Sequence, residues 1–142
     1  MKIYYDFHIH SCLSPCGDND NTPNNIVNMS LLKGLQAIAL SDHNTGKNCP
    51  AAIEAGKRNG LVVLPAMELT TSEDIHILCL FEKYERLAML EEYISERRMK
   101  IKNREEIFGE QLILNEYDEP IGKEEYLLLA SAGAVSYTHL TL

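Results

Sequence analysis

Leu35-Gln36-Ala37-Ile38-Ala39-Leu40 and Leu61-Val62-Val63-Leu64-Pro65 are two apolar runs of strand length. Between them, Cys49-Pro50 opens a short helical pattern through Ala51-Ala52-Ile53-Glu54-Ala55, and Asn59-Gly60 closes it. A glycine just past the last helical residue is the usual stop, because it alone enters the left-handed region without strain. Two buried strands joined by a helix of this length read as a parallel β-α unit. The pattern extends outward. Upstream, residues 3–10 read as a strand, and Thr22-Pro23 as an N-cap with proline in the first helical position, opening a helix that ends at Gly34. Downstream, residues 75–81 read as a fourth strand of the same sheet. A helix follows over about residues 84–99, with Leu87, Leu90, Tyr93 and Ile94 at helical spacing. The fold class is therefore α/β. A closed eight-unit barrel needs about 250 residues. A chain of 142 residues supplies about four strands of such a sheet.

Beyond residue 96 the pattern changes. Arg97, Arg98, Lys100, Lys102 and Arg104 form a basic stretch. It reads as a solvated helix end, favoured there by the helix dipole, or as a grip on a nucleotide or RNA backbone. Two short apolar runs, 111–114 and 119–121, flank Asn115-Glu116-Tyr117-Asp118 and read as a small hairpin. A further helix is expected from Lys123. Residues 134–142 continue no pattern.

Hydrophobic residues make up 45% and charged residues 24%, a globular balance rather than a disordered one. No apolar run approaches the ~20 residues of a membrane helix. Met1-Lys2 leads straight into Ile3-Tyr4-Tyr5-Asp6 without an apolar leader, and the four cysteines read as reduced thiols, so a cytoplasmic protein is expected. The net charge of −8 disfavours binding nucleic-acid phosphates by bulk charge. It leaves a small anionic substrate open, since bound divalent ions reverse the local sign.

His8 and His10 are two apart in a strand, so both imidazoles face one side, and Asp6 shares it. The pair alone reads equally as half-buried strand histidines. Position adds to it. His43 lies just past the second strand, Glu68 just past the third, and His76 within the fourth. Parallel sheets place their sites along the edge shared by the carboxyl ends of the strands. Imidazole with carboxylate suits Zn, Mn or Fe better than Mg or Ca. Asp42 reads either as a group orienting an imidazole or as a loop cap. Thr70, Thr71 and Ser72 read as phosphate donors or as turn residues. Cys12, Cys16 and Cys49 could gather at the same rim, though ordinary thiols are the favoured reading, and Cys79 reads as packing.

Asp6-Phe7-His8-Ile9-His10-Ser11, Ser41-Asp42-His43-Asn44, Met67-Glu68-Leu69 and Ile75-His76-Ile77, in that order, resemble the first motifs of the PHP (polymerase and histidinol phosphatase) phosphoesterases. The resemblance covers residues 1–82 by motif and extends to about Ala132 by pattern. It implies the N-terminal part of a distorted (β/α)7 PHP barrel, truncated before barrel closure, with 1–82 as the motif-bearing β/α units and 83–133 as a helix, small hairpin and helix. It implies divalent metal ions (Zn, Mn or Fe), two or three per full-length site. His8 and His10 would bind one together with Glu68. Glu68 would bridge to a second that His76 holds. His43 would bind a third with an aspartate of the loop after the first strand, for which Asp18 is the candidate. His8, His10, Glu68 and His76 are the implied catalytic set. The family draws two more histidines and an aspartate from later strands, which nothing in this chain matches, His139 included. Residues 134–142 resemble a peptide found where gene predictions run into sequencing adapter, and are expected to be a non-native tail.

The function expected from the resemblance is a metal-dependent phosphoester hydrolase. Its substrate would be a phosphomonoester, a nucleotide or a short single-stranded oligonucleotide, with no membrane partner. The alternatives are a non-catalytic metal-binding module accessory to a DNA polymerase, and an inactive truncated fragment.

Overall fold

The computed structural model describes residues 1–136. His139 and the rest of 137–142 lie outside the described residues. The order is β1 (Tyr5–Ile9), α1 (Pro23–Leu32), β2 (Ala37–Leu40), α2 (Cys49–Asn59), β3 (Val62–Thr70), β4 (His76–Leu80), α3 (Tyr84–Arg97), α4 (Glu105–Phe108), β5 (Leu112–Leu114) and β6 (Pro120–Lys123). The main sheet runs β1-β2-β3-β4 and a small second sheet pairs β5 with β6. No helix among the described residues is long and apolar enough to cross a membrane.

The local signals act as their chemistry dictates. Thr22 caps α1 by accepting the Asn25 amide at 3.3 Å, and Pro23 begins the helix. Gly60 ends α2 at φ 78°, a conformation that costs a side-chain-bearing residue about 1–2 kcal/mol. Ile26 and Val27 of α1, Ile38 and Leu40 of β2, Ala52 and Ala55 of α2, Met67 of β3, and Leu87, Leu90 and Ile94 of α3 join in one core. Burying each large aliphatic side chain stabilises the fold by about 1.5–3 kcal/mol.

The structure corrects the sequence reading in three places. β4 is not a parallel strand: it pairs antiparallel with β3, from Thr70↔His76 to Ala66↔Leu80. Only residues 71–75 separate the two strands, and a parallel return needs a dozen residues or more. The turn is closed by the Thr71 amide on the Ile75 carbonyl at 2.9 Å, with Asp74 at φ 61°. Second, β3 runs on through Glu68. Its first half pairs with β2 (Ala37↔Val62 to Leu40↔Pro65) and its second half with β4. Third, no helix starts at Lys123, which ends β6. Glu124 and Tyr126 are instead held in extended chain, because the buried Gln111 amide donates to both their carbonyls and its oxygen accepts from the Leu128 amide. The expected hairpin does form, as β5 and β6.

Candidate metal centre

β1 presents His8 and His10 on one face. Past the end of β2, the ladder continues for one more step: the Asn44 amide donates to the Glu68 carbonyl and the Glu68 amide to the Asp42 carbonyl, both at 3.0 Å. That step fixes His43 beside Glu68. Across the hairpin, His76 pairs with Thr70, the diagonal neighbour of Glu68 on the same face. Three strands therefore deliver four imidazoles to one carboxylate.

Glu68 Oε2 lies 2.8 Å from His8 Nε2 and 2.8 Å from His10 Nε2, while Oε1 lies 2.7 Å from His76 Nδ1. His43 Nδ1 is 3.8 Å from Oε2, beyond a hydrogen bond. The His10 and His43 rings are 4.6 Å apart and the His43 and His76 rings 5.6 Å. Burial raises the Glu68 carboxyl, but hydrogen bonds from His8 and His76 and the neighbouring imidazoles outweigh it and hold it at about 2. Burial, followed by the other histidines, lowers His43 to about 4. A charged carboxylate thus meets a neutral imidazole, the protonation states that cations require of such ligands.

A fold makes few exceptions to pairing buried polar atoms. His43 is 5% exposed, and its Nδ1 has no hydrogen-bond partner. Ligand atoms fall within 4.8 Å of one another in three groups: His8, His10 and Glu68; His43, Glu68 and His76; and His10, Cys16 and His43. Glu68 belongs to two of them. This donor set fits divalent cations of the Zn, Mn or Fe type.

The neighbouring candidates separate cleanly. Asp42 is a loop anchor: it accepts from the Ser11 amide, the Ser11 hydroxyl and the Ser14 hydroxyl, each at 2.7 Å. Thr71 serves the turn by accepting the Ile75 amide. Asp18 is exposed and in none of the three groups, and its carboxylate caps its own loop by accepting the Asp20 amide at 2.9 Å. Asp6 likewise accepts the His8 amide. Cys12 and Cys49 are buried, whereas Cys16 returns to the rim with Sγ 3.4 Å from His10 Nδ1. The turn at Gly17 places Cys16 there. Gly17 lets the loop fold back on itself, and a Cβ there would stand 2.1 Å from the Ser11 carbonyl oxygen. In the basic stretch, Arg97 stacks on Tyr93, Arg98 pairs with Glu124 and Arg104 with Glu106.

A β/α sheet with a histidine-carboxylate cluster along one edge defines a class of cation-binding α/β domains. Within it, the chain belongs to the PHP domain family, whose model matches residues 6–140. The chain is 29% identical to the 5'-3' exoribonuclease Rnm of Salmonella typhimurium, over 96% of its own length and 46% of that protein's. A Bifidobacterium adolescentis protein assigned as a metal-dependent phosphoesterase superposes with a TM-score of 0.52 at 26% identity, over 68% of this chain and 35% of the other. An amidohydrolase of Chromobacterium violaceum gives 0.49 at 24%, over 68% and 34%. The chain thus spans less than half the length of the relatives it matches. The family model's match, residues 6–140, spans His8, His10, His43, Glu68 and His76.

Proposed function

We propose that this chain supplies the cation-binding edge of a metal-dependent phosphoester hydrolase whose substrate is a nucleotide or short single-stranded oligonucleotide. The observation that carries the reading is Glu68: one oxygen faces His76, the other faces His8 and His10, and the buried Nδ1 of His43 beside it is left unpaired. That arrangement supports two ions sharing one carboxylate, with His43 available to a third. The relative named as a 5'-3' exoribonuclease supports the nucleic-acid class. The basic stretch adds less, because Arg97, Arg98 and Arg104 already have partners.

Divalent ions bound here would acidify water and neutralise charge on the phosphoryl oxygens. The residues of the chain do the positioning. His8 in β1, His10 at its end and His76 in β4 are held around Glu68 of β3, so their positions are set before substrate arrives. Asp42 fixes the loop that carries Ser11 and Ser14, and Ser14 in turn receives the His43 amide at 3.1 Å. This fixes the backbone that carries His43.

The test is direct. The intact protein, stripped with chelator and reloaded with Mn or Zn, is offered a nucleoside monophosphate and a short oligoribonucleotide. Release of phosphate or of mononucleotides, lost in His8→Ala and Glu68→Gln, is the expected result. Turnover of neither substrate with either metal overturns the proposal.

A further inference from the structure

Resting on that reading, we propose that Cys16 is a thiolate ligand: with His43, and beside His10, it holds one of the cations.

The geometry makes the case through His10. Its Nε2 lies 2.8 Å from Glu68 Oε2 on one side of the ring, and its Nδ1 faces Ser14 and Cys16 on the other. The Ser14 hydroxyl is 3.3 Å from Nδ1, but its single proton is committed to Asp42 Oδ1 at 2.7 Å. The remaining neighbour is Cys16 Sγ, 3.4 Å from Nδ1. Cys16 Sγ thus stands at the rim, within 4.8 Å of the ligand atoms of His10 and His43.

His43 supplies an independent observation. It is buried, its Nδ1 lacks a hydrogen-bond partner, and it shares with Cys16 and His10 a group of ligand atoms within 4.8 Å. His10 borders both sides of the cluster, with Nε2 toward Glu68 and Nδ1 toward Cys16. The residue expected from the sequence at this position, Asp18, is turned to its own backbone. The tight loop at Gly17 delivers Cys16 in its place. A thiolate here makes this position softer than the all-nitrogen-and-oxygen remainder, biasing it toward zinc over manganese.

Cobalt(II) reports the ligand directly, because a thiolate bonded to it adds a near-ultraviolet charge-transfer absorption to the visible ligand-field bands. The chelator-stripped intact protein is titrated with cobalt(II). The expected spectrum shows both features. Cys16→Ser loses the near-ultraviolet band and about one bound ion while keeping the visible bands, Cys16→Asp recovers the ion without the band, and Cys12→Ser retains everything. Visible bands without the charge-transfer band in the unaltered protein, or a band that survives Cys16→Ser, overturn the assignment and leave the hydrolase reading standing. Failure to bind cobalt at all overturns both.

Discussion

His76 Nδ1 lies 2.7 Å from Glu68 Oε1, although the chain reverses direction between the two residues. A hairpin achieves this because His76 opens β4 opposite Thr70, one diagonal step from Glu68. The backbone pairing of β3 with β4 holds His76 beside Glu68.

The cluster should respond to cations through stability. Ions that bind only the folded chain stabilise it by about 2.7 kcal/mol at one hundred times their dissociation constant. Thermal unfolding of the chelator-stripped protein, with and without zinc or manganese, measures this. Glu68→Gln keeps the shape but removes the shared anion, and metal affinity should fall on the order of 100-fold. An equal thermal shift in the variant would count against Glu68 as the shared ligand.

Asn44 joins the site to the rest of the chain. Buried at φ 54°, it donates to the Leu128 and Ala130 carbonyls and accepts the Thr70 amide. Asn44→Ala strands all three groups and should cost about 2–4 kcal/mol in urea denaturation. Asn44→Gly relieves the left-handed backbone and should be about 1 kcal/mol less damaging.

Gly46 abuts Leu87 of α3. A Cβ on Gly46 would stand 2.4 Å from Leu87 Cδ2, and Leu87 is fully buried. Gly46→Ala should destabilise by about 1–3 kcal/mol through overpacking. Leu87→Ala should destabilise by about 2–5 kcal/mol through the cavity it leaves. The added methyl occupies part of that cavity, so the double variant should lose less than the sum of the two. Strict additivity by equilibrium denaturation would contradict the contact.

Glu124 sets an acid limb to stability. Burial raises its carboxyl, but hydrogen bonds and charge from Lys47 and Arg98 overcome this and lower it below the ordinary carboxylate value. A lowered folded-state value means that the unfolded chain takes up the proton first as pH falls. The contribution is therefore full above the ordinary carboxylate range and is lost as pH drops through the lowered value. The melting-temperature gap between the protein and Glu124→Gln should be widest near neutral pH and close in acid. A gap independent of pH would mean that the ion pairs contribute nothing.

Much of this was legible in the residues. The Thr22-Pro23 start, the Gly60 stop and the apolar runs of β1 to β3 are local signals, and the structure follows each of them. The five side chains at the rim were nameable because strand alternation and strand ends restrict where such groups point. The direction of β4 was missed, since an apolar run looks alike in either direction and only the shortness of 71–75 gives the hairpin away. The extended chain after Lys123 was missed for another reason: Lys123-Glu124-Glu125 is good helix sequence, overridden by the distant Gln111.

Taken by itself, the sequence determined the elements, their alternation and the histidine-carboxylate set, because these follow from local periodicity and residue chemistry. Tertiary structure alone decided that Cys16 rather than Asp18 faces His10, that Asp42 anchors a loop, and that Arg98 is paired with Glu124. Those outcomes depend on which polar groups come within hydrogen-bonding distance after the chain has packed, and sequence spacing carries no record of that distance.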